Sequence, residues 1–370
     1  MNAGKLAAIV ALGLIIVSTA SGAVWNVRKQ QGRDYVSFGD VAEFYHFGQY
    51  RHANRTVSLQ SDRRGLRAQA GTSEFFINGV RFFTDFPLVS QGDDTLVSAV
   101  DVGKIIEPVL RPSRIASAAK VETVILDPGH GGMDQGTANQ WGSESKFALA
   151  AALSAREQLR HAGYQVEMTR TADVAVSLED RVAFANRFPH AVFISIHFNS
   201  GGGAGAESYL LAPDGVPSNA SAEHHVSAAE SQPNEGNTQD GANVALAAAV
   251  HAAVLTQLVT FDRGVRHARF KVLRDIRVPA VLLEAGFLTD SAEGRRIATP
   301  LYQQQLGGAI AMGVRAYDAA VNYRAPNATF SVAQAKLPPH THSITEPLIS
   351  APSSEPSPAQ QPSVSINGGR

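Results

Sequence analysis

The chain changes hydrophobic period several times along its length. Residues 6–17 form an almost unbroken apolar run between Lys5 and a stretch of small residues, Ser18 to Ala23. From 24 to 118, short apolar pieces alternate with turn residues, and Asn78-Gly79 between two apolar runs signals a hairpin. From about 122 to 320, short strand-like runs alternate with longer segments of helical period. This predicts an α/β fold: a mostly parallel open sheet with helices on both faces, preceded by a small β-rich or α/β module. Strands are expected at 123–126, 165–169, 192–196, 207–211, 271–273 and 280–283, and helices at 144–162, 178–187, 243–259 and 302–320. Ser177 reads as an N-cap, Gly163 as a helix stop, and Thr299-Pro300 as a helix start.

Two segments break this pattern. Residues 213–240 are polar and turn-rich inside an otherwise compact region, which is the mark of a functional or disordered insertion. Beyond 323 the chain is Pro/Ser-rich and too poor in apolar surface to offset ordering, so a disordered tail is expected. The expected organisation is therefore a signal segment at 1–23, a small module at 24–118, a main domain at 119–322 carrying the 213–240 insertion, and a tail at 323–370.

The charged start, apolar middle and small-residue end of 1–23 describe a secretory signal. Cleavage is expected near Ala23, because Gly, Ser and Thr weaken the far end of the run. Left uncleaved, the same run would be a membrane anchor and the only contact with a membrane. Either way the remainder is exported, to the periplasm or cell envelope. A formal net charge of -1 offers no global field for nucleic acid, and none is expected as a partner. With twelve His and no Cys, a transition metal would have to sit on imidazoles and carboxylates.

Three apolar strands end on chemistry. The run Val124-Ile125-Leu126 gives way to Asp127-Pro128-Gly129-His130-Gly131-Gly132, freeing the backbone where a parallel strand meets its ligand crevice. Phe193-Ile194-Ser195-Ile196 ends on His197. Ala280-Val281-Leu282-Leu283 ends on Glu284, a carboxylate whose burial without a partner would be costly. Glu144 opens the helix that follows the first strand. Taken singly, each residue has a structural explanation: a hydrogen-bonded His, a Glu favoured by the helix dipole, an Asp127 in a turn. In a parallel sheet, however, four ionisable groups spread over about 150 residues would meet at one edge. Two imidazoles and a carboxylate with one open position make a catalytic zinc site, where the pKa of water falls from about 15.7 to around 7. A nearby carboxylate can carry the proton.

Residues 124 to about 317 closely resemble the zinc-dependent N-acetylmuramoyl-L-alanine amidases of bacterial cell walls. The resemblance is carried by Leu126-Asp127-Pro128-Gly129-His130-Gly131-Gly132-Met133-Asp134, by Glu144-Ser145-Lys146, and by Thr169-Arg170 with Ser177-Leu178-Glu179-Asp180-Arg181. Ser195-Ile196-His197-Phe198-Asn199, Asp262-Arg263-Gly264-Val265 and Val278-Pro279 through Glu284-Ala285-Gly286-Phe287 complete the series. It implies His130, Glu144 and His197 as zinc ligands, Glu284 as catalytic base, and peptidoglycan as substrate, cut at the lactyl–L-alanine amide during wall remodelling or cell separation. The usual Glu-Lys pair is here Glu144-Ser145-Lys146, so Glu144 is the ligand whose local pattern departs, and Ala285 stands where Thr often follows the Glu. Asn199 and Arg170 are softer candidates for contacts around the site. Some family members carry, at the place of the 213–240 insertion, a segment that covers the zinc until a partner removes it. That implies regulated access here, with Glu223, His224 or Glu230 approaching the metal and an activator protein relieving the block; a solvated loop is the alternative. The 24–118 module loosely resembles the small amine-oxidase-N-like modules of cell-wall enzymes, which implies either wall binding or packing on the main domain.

Two other classes compete with the amidase reading. Another zinc hydrolase acting on peptides or acyl groups would share the metal but not this ordered series of motifs. A non-catalytic wall-binding or activator protein would keep the fold, but degenerate relatives commonly lose one of His130, Glu144, His197 and Glu284.

Overall fold

The structure, a computed structural model, describes residues 25–219 and 232–322. The expected signal segment, the tail, and Glu223, His224 and Glu230 of the insertion lie outside the described residues.

The first half contributes strands β1 (Arg28–Gln30), β2 (Arg33–Ser37), β3 (Gln49–Ala53), β4 (Thr56–Gln60), β5 (Gly65–Gln69), β6 (Glu74–Ile77), β7 (Val80–Phe83), β8 (Val89–Gln91) and β9 (Asp94–Ser98). The second half contributes β10 (Thr123–Pro128), the two-residue strands β11 (Ala138–Asn139) and β12 (Gly142–Ser143), β13 (Gln165–Met168), β14 (Ala191–Asn199), β15 (Ala206–Leu211), β16 (Asp262–Ala268) and β17 (Ala280–Phe287). Eleven of these form one sheet in the order β13-β10-β14-β17-β15-β16-β7-β6-β5-β4-β3.

The sheet is mixed, where the hydrophobic pattern had predicted a mostly parallel one. β13, β10, β14 and β17 run parallel, but β15 lies antiparallel to β17. The cause is the short connection 200–205: a parallel return needs a crossover of about a dozen residues or more, so the chain leaving β14 comes straight back. β16 then pairs in parallel with both β15 and β7, and β7 continues into the antiparallel meander β6 to β3. The N-terminal strands β3 to β7 thus extend the main sheet, while β1, β2, β9 and β8 form a separate four-stranded antiparallel sheet.

Residues 271–273, expected as a strand, open the short helix Lys271–Arg274, and the strand lies at Asp262–Ala268. Its apolar character is hidden because Arg266 and His267 are buried in it with charged partners. The expected long helices are present as Glu144–His161, Leu178–Ala185, Asp240–Gln257 and Pro300–Asn322. Ser177 caps the second through Asp180, and Gly163 takes a φ of +95° just past the first.

Alternate strand residues face two cores. Val124, Leu126, Ile194, Ile196, Val281 and Leu283 pack with the Glu144–His161, Asp240–Gln257 and Pro300–Asn322 helices. Ile125, Phe193, Leu282 and Tyr209 pack with Ala185, Val272 and Leu273 on the other face. Each such fully buried aliphatic contributes about 1.5–3 kcal/mol, so the strand ends are held by a stiff platform. Helices therefore cover both faces of the sheet's second-half strands, as expected.

Candidate metal centre

β10 delivers the chain to Pro128 with every residue buried. Its last carbonyls are taken by two guanidinium groups. Arg170 donates to the carbonyls of Pro128 (3.0 Å), Gly129 (2.7 Å) and Ser145 (2.8 Å). Arg181 donates to those of Pro128 and His130, each at 2.8 Å. Charge-assisted bonds of this kind over-determine the turn, and they hold His130 at a φ of +58°, which a non-glycine residue rarely adopts. His130 Nδ1 lies 2.9 Å from Asp134 Oδ2. With its proton donated there, Nε2 keeps a lone pair for the site.

Glu144 is the first residue of its helix and is buried. Its Oε2 accepts from the Thr137 amide at 3.0 Å and its Oε1 from the Phe198 amide at 3.2 Å. Oε1 also lies 3.0 Å from both His130 Nε2 and His197 Nδ1. Ser145 fills a buried spot against Ser143 Oγ, and Lys146 points to solvent, so the unusual Glu-Ser-Lys order leaves Glu144 in place. The His197 ring lies over Gly129, where a Cβ would collide with it, so the close approach of the two strand ends requires glycine there.

His130, Glu144 and His197 each offer one donor atom, and these atoms lie within 4.8 Å of one another. The His side chains keep 20% and 17% of their surface exposed, so the cluster opens to solvent and to a substrate. Burial works to raise the Glu144 pKa, but hydrogen bonds to the two imidazoles overcome it and hold the carboxyl well below the usual range. For His130, burial is outweighed by Glu144 and Asp134, which push the imidazole upward.

Glu284 sits inside β17, not at its end, with His197 as its register partner on one side and Glu207 on the other. It is 2% exposed, and its Oε2 has no hydrogen-bond partner among the described residues. Burial, then the negative charges of Glu144 and Glu207, push its carboxyl well above the ordinary range. An orphaned carboxylate oxygen beside two imidazoles and a second carboxylate is stable only if something positive or protic joins them. Two nitrogen donors and one oxygen donor, from His130, His197 and Glu144, suit a divalent transition metal.

Other candidates lie elsewhere. Asp127 accepts from Thr169, Ser195 and Arg181, and so ties β10 to its neighbours. Arg170 holds the turn carbonyls. Asn199 donates to Glu207 at 2.9 Å. Asp134, Arg181 and Glu207 received no role from the sequence. Glu207 was open to the same logic as Glu284, being a carboxylate within an apolar strand; its charge is met by Arg263 at 2.9 Å and Arg266 at 3.7 Å.

Residues 124–316 match the sequence family described as N-acetylmuramoyl-L-alanine amidase. A sporulation-specific N-acetylmuramoyl-L-alanine amidase of Bacillus subtilis is 32% identical over 193 residues, covering 52% of this chain and 66% of that protein, just under two thirds. N-acetylmuramoyl-L-alanine amidase AmiA of Escherichia coli is 32% identical over 240 residues, covering 56% of this chain and 79% of that one. A crystal structure of an N-acetylmuramoyl-L-alanine amidase from Clostridium difficile 630 is 30% identical, covers 54% of this chain and 97% of its own, and superposes with a TM-score of 0.44.

Proposed function

The chain belongs to the N-acetylmuramoyl-L-alanine amidase family, and on that footing we propose that it is a zinc-dependent peptidoglycan hydrolase cutting the amide between the lactyl group of N-acetylmuramic acid and L-alanine of the stem peptide. The observation that carries the reading is the convergence of His130 Nε2, Glu144 Oε1 and His197 Nδ1 beside the partnerless Oε2 of Glu284.

His130, Glu144 and His197 would hold the zinc. When bound, zinc supplies Lewis acidity to the scissile carbonyl and to water. Glu284 takes a proton from the attacking water at its carboxylate and returns it to the alanine nitrogen as the C–N bond breaks. Next to a positive centre its carboxyl falls back toward the ordinary range, which makes it competent as a base near neutral pH. Asp134 keeps the His130 ring in the tautomer that presents Nε2.

Peptidoglycan lies outside the cytoplasm, so the working protein belongs there; export by segment 1–23 to the periplasm or cell envelope is part of the proposal. Among the described residues no helix is long and apolar enough to cross a membrane. Regulated access by the insertion belongs to the proposal too. Its flanks are tied to the core, since Asp240 accepts from Lys104 and from the Asp214 amide. Deleting only 220–231 therefore tests the idea: hydrolysis of purified peptidoglycan should rise, and no change or a loss would sink it.

The function is tested by mass analysis of fragments released from purified peptidoglycan with and without a chelator. Free stem peptides beginning with L-alanine, lost on chelation and restored by zinc, are the expected result. Release of sugar fragments, or of peptides cut internally, would overturn it.

A further inference from the structure

The active-site carboxylate Glu284 belongs to a row of register partners that crosses the sheet into the N-terminal half of the chain. Glu284 stands between His197 and Glu207, and Glu207 pairs with Gly264 on β16. Val265 pairs with Phe82, which sets Gly264 beside Arg81 on the same face. The row then runs from Arg81 to Phe76, Arg67, Ser58 and Arg51. Nine strands at about 4.8 Å spacing make this a line of roughly 38 Å from His197 to Arg51.

The face that carries the row differs from a plain solvated sheet. The inward residues of β4 to β7, such as Val57, Leu66, Phe75 and Phe82, are buried, while Arg67 and Arg51 are exposed and Phe76 and Phe83 half-buried. Cations lie on the aromatic rings: Arg67 sits 4.8 Å over Phe76, and Arg266 3.5 Å and Arg81 4.8 Å over Phe83. Arg81 is ion-paired to Glu74. Arg51 and Arg67 have no carboxylate within ion-pair distance among the described residues, so the far end of the row carries uncompensated positive charge. The junction is fitted closely: the Arg81 amide donates to Asp262 at 2.9 Å, and the Phe83 ring covers Gly264.

We propose that this face is an extended binding track for peptidoglycan, with Arg51 and Arg67 pairing with the free carboxylates of stem peptides and Phe76 supporting the glycan. The inference rests on the amidase reading for its ligand. It is carried by the register alignment of the open outer face with Glu284, the row being buried at Glu207, and by the match of guanidinium groups without a carboxylate partner to an anionic, carboxylate-bearing polymer.

The test is co-sedimentation of the full chain with purified insoluble peptidoglycan, in a Glu284→Gln background so that nothing is cut. Arg51→Glu with Arg67→Glu should weaken pelleting by about tenfold. Lys120→Glu, an exposed charge off the sheet, should leave it unchanged. Glycan freed of stem peptides should pellet the parent poorly. In the chain with Glu284 intact, the double variant should still cleave a soluble single muramoyl-peptide, which also shows that it folds. The proposal is overturned if the double variant pellets like the parent, if Lys120→Glu weakens binding as much, if stripped glycan binds equally well, or if anionic lipid vesicles capture the parent as strongly. Since pelleting is read without turnover, failure of the amidase reading would appear separately, as a parent that releases no stem peptide.

Discussion

Arg181 and Asp127, 54 residues apart, form a buried ion pair at 2.5 Å at the root of the turn that presents His130. The same guanidinium donates to the carbonyls of Pro128 and His130, so one side chain neutralises a buried carboxylate and fixes the ligand-bearing backbone. Arg181→Ala leaves Asp127 charged and uncompensated, and should destabilise the protein by about 3–5 kcal/mol in urea unfolding. Arg181→Lys keeps the charge but not the forked geometry, and should lose metal affinity more than stability. Equal metal content in Arg181→Lys and parent would show that the turn does not need the fork.

Glu144 is the proposed ligand with the unusual neighbour, and it can be tested alone. Glu144→Ala removes the only oxygen donor of the cluster and leaves two imidazoles, so the purified variant should carry little zinc by atomic absorption. If it retains zinc at the parental ratio, another residue supplies the third bond.

Glu284→Gln keeps shape and removes the proposed base. Hydrolysis should fall by about 10²–10⁴-fold while zinc content stays at the parental value. A variant as fast as the parent would remove Glu284 from the mechanism.

At Gly264, φ is +96° and an added Cβ would lie 2.8 Å from the Phe83 ring. Gly264→Ala should cost about 1–3 kcal/mol from overpacking. Adding Phe83→Ala should recover part of that loss, giving a non-additive double-mutant cycle. Strict additivity would mean that the two halves of the sheet are not coupled through this contact.

Asp101 is fully buried, and burial, then the charge of Asp85, raise its carboxyl well above the usual range. The folded protein therefore holds a proton that the unfolded chain, with a pKa of about 3.9, gives up. That contribution is complete below about pH 3.9 and is lost as pH rises through the folded value. Asp101→Asn cannot titrate, so the stability difference, parent minus variant, should fall between pH 4 and pH 7 in urea melts. A difference that stays constant with pH would contradict the assignment.

Much of the site was legible because its residues interrupt apolar runs. His197 and Glu284 stand out where a buried strand should hold only hydrocarbon, His130 in the turn just past one, and Glu144 at the start of the helix that follows. Less visible was β16, whose Arg266 and His267 look like a surface segment until Glu207 and Asp85 are seen beside them. The antiparallel entry of β15 was likewise missed, since direction depends on connection length and not on hydrophobic period.

The residue pattern by itself determined the chemistry available here: two imidazoles and two carboxylates on an α/β scaffold, with no thiol to compete. Those are local properties, written in side-chain type and in the order of apolar runs. Only the tertiary structure decided which nitrogen of each His faces Glu144, that Glu284 lies inside its strand with an orphaned oxygen, and that one row of partners links it to Arg51. Register is set by pairing between strands far apart in the chain, so no local stretch contains it.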